Sequence, residues 1–228
     1  MSPEVNHSGN YDQSNNRENN LDKDSPITVY NDLADRMDDF LNADAEKDSI
    51  RKGTQDKVRE SLYVIGKALE DYGYNLTLNQ AHPRFDSLAL SFNGGKDCLV
   101  LLLLYIYILH RQGGYSRRKI PTCFVTPPQT FEEIDEFVTE CAERYALDVD
   151  RISLPMKLAF TKYLERNKQI KAVLVGTRRT DPHGEFLTHF DHTDHGWPEF
   201  MRVHPVINWH YWEIWDVCAF YGLSDISF

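Results

Sequence analysis

The sequence predicts an α/β fold: a doubly wound, mainly parallel sheet with helices on both faces. Three observations carry that expectation. Short apolar segments of strand character alternate with amphipathic segments of helical length. The segment Lys171-Ala172-Val173-Leu174-Val175-Gly176 is apolar on both faces, as a strand covered from either side must be. A strand-like run ending at Ser91 breaks at Gly94-Gly95 and passes directly into the apolar run Leu99 to Leu109, which makes a strand, turn, helix unit.

In chain order, residues 1 to about 28 are rich in Asn, Asp and Ser with little to bury, and the spacing predicts disorder there. A helical pattern is available from Tyr30 to Leu41, and residues 1–50 as a whole read as a largely disordered or weakly helical acidic extension ahead of a domain at 55–228. Val58, Leu62, Ile65 and Leu69 share one helix face, and that helix stops near Gly73. Polar residues Leu76 to Arg84 lead into the opening strand, followed by the helix to Arg111 and a turn at Gly113-Gly114. Lys119 to Thr126 reads as the second strand, closed by Pro127-Pro128. Phe131 to Tyr145 follows helical spacing, with Glu132, Glu133 and Asp135 in the first turn where the dipole favours acids. Leu147 to Leu154 holds a third strand, Pro155 to Asn167 a third helix, and Lys171 to Gly176 the fourth strand. An irregular stretch to Arg202 precedes Val203 to Asn208 and an amphipathic helix from Trp209 to about Tyr221, along one side of which Trp209, Trp212 and Trp215 are expected to pack into the core.

At 228 residues with 41% hydrophobic content, the chain supports one sizeable domain. Of the net charge of −10, −6 lies in residues 1–60, where 14 Asp and Glu face 8 Lys and Arg. That balance supplies no basic face for nucleic acid. Cys98, Cys123, Cys141 and Cys218 are widely spaced with no CxxC pair, which reads as reduced core residues of a cytoplasmic protein. The amino end has no apolar stretch of signal-peptide type, and the Leu99 to Leu109 run is too short to span a bilayer. The expected partners are small molecules rather than nucleic acid or membrane, and the expected state is a monomer.

The turn Ser91-Phe92-Asn93-Gly94-Gly95-Lys96-Asp97-Cys98 is the first candidate site. Glycines let the backbone approach an anion closely, and the helix start offers unpaired N–H groups and a positive dipole end. The order departs from a P-loop and matches the PP-loop of enzymes that split ATP between the α- and β-phosphates. Backbone N–H groups from Asn93 to Asp97 and the Lys96 ammonium would hold phosphate oxygens, and the Asp97 carboxylate suits Mg²⁺. A tight turn with an exposed Lys-Asp pair is the plainer alternative. Gly176-Thr177-Arg178-Arg179-Thr180-Asp181-Pro182 follows the fourth strand, where doubly wound folds place ligand loops. Its arginines offer planar forks for phosphate, although such a pair is commonly a solvated surface. His189, His192 and His195 are three apart and could ligate zinc, but structural zinc sites use cysteines at tighter spacing, so we read a loop with incidental histidines. Trp197, Phe200 and Trp209 are candidates for stacking on a flat heterocycle.

Taken together, these three stretches, the last running from Trp197 through Trp209 into Ile214-Trp215, resemble eukaryotic, particularly fungal, FAD synthetase. This is the FMN adenylyltransferase of the phosphoadenosine phosphosulfate reductase-like branch of PP-loop proteins. The resemblance covers roughly residues 55 to 220 and implies an adenine nucleotide α-hydrolase-like fold. It also implies Mg²⁺-dependent transfer of AMP from ATP to FMN, giving FAD and pyrophosphate. On the matched positions it makes Asn93, Asp97, Arg178 and Asp181 catalytic, and assigns ATP and phosphate binding to Ser91, Phe92, Gly94, Gly95 and Lys96. Flavin binding falls to Arg179, Asp181 and Trp197, and the metal to Asp97. Family members usually continue past the Ile214-Trp215 helix with Tyr-Cys…Leu-Tyr and Gly-Tyr-Thr-Ser patterns, where here only Tyr221 to Phe228 follow, so a flavin-binding piece is expected to be lacking. The amino-terminal fifty residues show no family feature. Three other readings compete: a non-catalytic flavin or nucleotide binder, a phosphoadenylyl sulfate reductase-like enzyme using Cys218 as nucleophile, and a tRNA-modifying PP-loop enzyme, which the absence of a basic face disfavours.

Overall fold

The computed structural model describes residues 25–73, 87–113, 119–126 and 131–223. The expected disorder before residue 25, the polar run Leu76 to Arg84 and the Pro127-Pro128 closure lie outside the described residues. Among the described residues a six-stranded sheet forms the centre, in the order β3-β2-β1-β4-β6-β5. Its strands are β1 (Leu88–Ser91), β2 (Ile120–Val125), β3 (Leu147–Ile152), β4 (Ala172–Leu174), β5 (Phe190–His192) and β6 (Met201–Val203). All neighbours pair in parallel except β5, which runs antiparallel to β6 and closes that edge.

The helices are α1 (Pro26–Asn42), α2 (Ile50–Ala68), α3 (Lys96–Arg111), α4 (Glu132–Arg144), α5 (Met156–Arg166) and α6 (Tyr211–Phe220), with a π-helical turn at Leu69–Gly73 extending α2. One sheet face carries α3 and α4, built over Leu88, Leu90 and Leu174. The other carries α5, built over Ala89, Cys123 and Val173. The expected doubly wound architecture with both faces covered is therefore present. The stretch read as irregular before Arg202 differs: it contains β5 and the start of β6. Three-residue strands are too short to show a period in sequence, and the antiparallel ladder from Phe190 opposite Val203 to His192 opposite Met201 is what defines them.

Topology places the strand order reversal between β1 and β4. Chain order runs outward from β1 through β2 to β3 on one side, and through β4 to β6 on the other. Loops leaving the carboxyl ends of β1 and β4 therefore splay apart around a crevice, where open α/β sheets bind ligands.

The acidic amino-terminal segment is part of this core from Pro26 onward, where the sequence reading began the domain only at residue 55. Ser25 caps α1 by accepting the Thr28 N–H, with Pro26 at the first helical position. Tyr30, Leu33, Met37 and Phe40 are buried and pack against the cluster around α3. Tyr30 donates to the Tyr145 carbonyl at 2.8 Å, Tyr107 on α3 donates to Asp38 at 2.7 Å, and Tyr221 donates to the Leu33 carbonyl at 3.1 Å. The reason is α3 itself: Cys98 through Ile106 are all buried, and a helix that is apolar all round must be covered all round. The sheet covers one side, and α1, α2 and α6 cover the others. Arg51 on α2 joins α6 through both Asp216 carboxylate oxygens at 2.9–3.1 Å.

The tryptophans also differ from the expected stripe. Trp209 is buried, but Trp212 and Trp215 are 40% and 44% exposed. The helix begins at Tyr211, and Ile214, Val217 and Cys218 form its inward face, which turns Trp212 and Trp215 outward. Met37→Ala should cost about 2–5 kcal/mol, as for a buried core side chain. Denaturant unfolding checks this, and a loss below about 0.5 kcal/mol, typical of surface positions, would mean that α1 is an appendage.

Candidate functional site at the switch point

The loop after β1 is shaped by its own side chains. Asn93 Oδ1 accepts the Gly95 N–H at 3.0 Å, closing an Asx-type turn. Gly94 sits at φ +81°, in the left-handed region that favours glycine. Gly95 then starts α3 with no side chain capping the helix, so the first-turn N–H groups point at the crevice with the positive dipole end behind them. Ser91 closes β1 half-buried, and Phe92 is buried in the core. Phe92 can therefore offer a ligand only its backbone. Lys96 places its ammonium 4.9 Å from the centre of the Trp215 ring on α6, a cation–π contact.

The loop after β4 meets this turn directly. A Cβ at Gly176 would lie 3.0 Å from Cys98 Sγ and 3.3 Å from the Cys98 backbone nitrogen, so only glycine lets the strand end pass so close to the start of α3. Two residues on, Arg178 Nε faces Asp97 Oδ1 at 3.0 Å. The contact is one of charge rather than of aligned hydrogen bonding, and both atoms are buried without a hydrogen-bond partner. Asp181 folds the loop back: its Oδ2 accepts the Arg178 N–H at 2.8 Å, and its Oδ1 lies 3.3 Å from Arg178 Nη2. Burial pushes the Asp97 carboxyl up from its ordinary value, Arg178 opposes this, and the nearby Asp181 charge adds to it. A carboxylate so placed keeps unspent acceptor capacity and gains from a further cation.

Asn93, Gly94, Gly95, Asp97, Arg178 and Asp181 are thus brought together. Arg179 and Trp197 are placed elsewhere. Arg179 donates to Asn208 Oδ1 through Nε at 3.3 Å and Nη2 at 2.8 Å, and through Nη1 to the Glu185 and Leu187 carbonyls at 2.8 and 3.0 Å. It works as a fastener for the loop. Trp197 is half-buried against the cluster under α5.

Several participants were not identified from the sequence. Glu60 on α2 accepts from Asn208 Nδ2 at 2.7 Å and faces His189 Nε2 at 3.1 Å. Glu60 looks in sequence like half of a surface pair with Lys57, and nothing local marks partners so far along the chain. With Glu60 on one ring nitrogen and the His204 carbonyl on the other at 3.0 Å, His189 has neither nitrogen left for a metal. Among the described residues, no group of three or more His, Cys, Asp or Glu side chains is placed to hold a metal ion. The four cysteines are unpaired and buried. Burial raises Cys98 and Cys218 to about 11 and Cys123 and Cys141 to about 12. Thiols in that state are poor nucleophiles, which argues against a reductase built on Cys218.

A glycine turn at the start of a helix, set at the switch point of a parallel sheet and crossed by an arginine from the next ligand loop, defines a nucleotide-binding protein of the PP-loop class. The sequence profile of the phosphoadenosine phosphosulfate reductase domain matches residues 87–159 and 151–223. The probable FAD synthase of Schizosaccharomyces pombe is 46% identical over 195 residues, spanning 77% of this chain and 69% of that protein. The flavin adenine dinucleotide synthase of Saccharomyces cerevisiae is 32% identical over 217 residues, spanning 82% and 68%. Among solved structures, Candida glabrata FMN adenylyltransferase in complex with FMN and the ATP analogue AMPCPP superposes with a TM-score of 0.73 at 31% identity, covering 82% of this chain and 64% of that one. The same enzyme with FAD and inorganic pyrophosphate gives 0.73 at 29% identity, covering 82% and 66%. The chain belongs to the FAD synthase family, and it spans about two thirds of the length of these relatives.

His204, just past β6, is 1% exposed, and neither ring nitrogen has a hydrogen-bond partner among the described residues. Burial lowers it from 6.5 to about 4, with Arg202 adding to the effect. The folded protein therefore binds fewer protons than the unfolded chain across that interval, and stability falls as pH drops from 6.5 towards 4. The loss should approach the order of 3 kcal/mol. In His204→Phe this part of the acid loss should vanish, which unfolding midpoints at pH 7 and pH 4.5 on both proteins measure.

Proposed function

We propose that the chain transfers AMP from ATP to FMN, forming FAD and releasing pyrophosphate. The observation that carries this reading is the Asp97–Arg178 contact, which joins the uncapped start of α3 to the loop after β4 in one crevice. Relatives that cover most of this chain are FAD synthases, and a solved one holds FMN beside an ATP analogue.

The chemistry asks for positioning and charge neutralisation. The N–H groups of the Asn93 to Asp97 turn, apart from that of Gly95 which Asn93 Oδ1 already holds, receive the triphosphate at the helix start together with Lys96. Arg178 and Asp181 bound the side from which the FMN phosphate enters. An oxygen of that phosphate forms a bond to the α-phosphorus, the bond from the α-phosphorus to the oxygen leading to the β-phosphorus breaks, and pyrophosphate leaves with that electron pair. A phosphate is already an anionic nucleophile, so no general base is required.

The buried Asp97 oxygen, facing only a charge contact, fits a Mg²⁺ ligand. A bound Mg²⁺ would neutralise phosphate charge there, while the residues of the chain orient the reactants. Arg179 serves the flavin side by holding the loop. Trp197 is the other candidate for that side and has the weaker support, lying under α5. Among the described residues no helix is long and apolar enough to cross a membrane. Reduced, buried cysteines fit a cytoplasmic setting, and we read the protein as a monomer acting on small molecules.

Incubation of the purified chain with FMN, ATP and Mg²⁺ should yield FAD and pyrophosphate in equal amounts. Asp97→Ala should lower the turnover rate by about 10²–10³-fold or more, and near-normal activity in that variant contradicts its role. FMN binding without FAD would favour a non-catalytic binder, and no flavin binding would remove both flavin readings.

A further inference from the structure

The adenylyl-transfer reading does not use Glu60, yet three side chains converge on its carboxylate, two of them from distant segments. Oε1 accepts from Asn208 Nδ2 at 2.7 Å and faces His189 Nε2 at 3.1 Å, while Oε2 takes the Lys57 ammonium at 3.0 Å. The Asn208 bond sets that amide: with its nitrogen turned to Glu60, its oxygen is left for the two Arg179 donors. Arg179 in turn fastens the Glu185 and Leu187 carbonyls, and its own N–H donates to the Ile207 carbonyl at 2.7 Å.

His189 is held at both ring nitrogens, with Nδ1 3.0 Å from the His204 carbonyl oxygen and Nε2 3.1 Å from the Glu60 carboxylate. Burial alone would raise the Glu60 carboxyl, but hydrogen bonds from Asn208 and Lys57 outweigh it and hold the group below its ordinary value, so the carboxylate is ionised.

We infer that Glu60 is a positioning residue of the flavin side: one carboxylate orders Arg179 through Asn208 and anchors the His189 ring, fixing residues 185–191 beside Arg178 and Asp181. The effect on catalysis rests on the adenylyl-transfer reading, whereas the ordering of residues 185–191 does not.

Two measurements on the full chain test it. In the first, Glu60→Ala raises KM for FMN about tenfold or more and leaves KM for ATP within about twofold. Glu60→Gln, whose amide oxygen still accepts from Asn208, falls between it and the parent, and being nearly isosteric it serves should the alanine variant fail to fold. In the second, amide hydrogen exchange of residues 185–191 is slow in the parent and speeds up about tenfold or more in Glu60→Ala, with Glu60→Gln between them. Unchanged exchange in the Glu60 variants, or FMN and ATP constants that move together or not at all, overturns the inference. A parent that makes no FAD defeats the adenylyl-transfer reading instead, and the exchange result then decides the ordering of residues 185–191 by itself.

Discussion

Half-burial of the Asp97 carboxylate at the start of α3, opposite the Arg178 guanidinium from the neighbouring loop, is the constraint around which the crevice is arranged. Both groups are partly withdrawn from water, and the facing charge offsets the solvation that each loses. Each is kept by the other, and the arrangement is held from the backbone side by Gly176 lying against Cys98. The contact leaves acceptor capacity at Asp97: burial raises its carboxyl, the Asp181 charge adds to this, and the contact lacks aligned hydrogen bonds. An anionic nucleotide with its counter-cation relieves this arrangement, as expected of a preorganised electrostatic site.

Keeping those groups in register depends on elements far from the loop. The all-apolar α3 supplies the helix start that faces phosphate, and its burial demands the cover of α1, α2 and α6 as well as the sheet. The same covering helices reach back to the chemistry. α2 carries Glu60, which organises Asn208 and His189, and α6 places the Trp215 ring beneath the Lys96 ammonium. Core packing and site geometry are thus linked through the same helices, and a defect in the covering layer should be felt at the switch point.

Much of this was legible in the sequence because local chemistry carried it. Gly94-Gly95 before a long apolar run declared a strand, turn, helix unit, and β4 declared its burial by being apolar on both faces. α1 was not legible as core. Asp32, Asp35, Asp38 and Asp39 make the segment read as an acidic tail, while its inward face of Tyr30, Leu33, Met37 and Phe40 becomes meaningful only once α3 needs a partner. The short β5 and β6 have too few residues to show a period. Arg179 looked like a phosphate ligand because its role depends on Asn208, twenty-nine positions away. Trp212 and Trp215 looked like core because spacing gives the face shared by side chains but not which way that face turns.

The central claim is that this crevice splits ATP between its α- and β-phosphates. Parallel reactions with ATP carrying phosphorus-32 at the α- or the γ-position test it most directly. With AMP transferred, α-label appears in FAD and γ-label only in pyrophosphate. Transfer of γ-label to the flavin, or release of labelled orthophosphate with ADP, would contradict it.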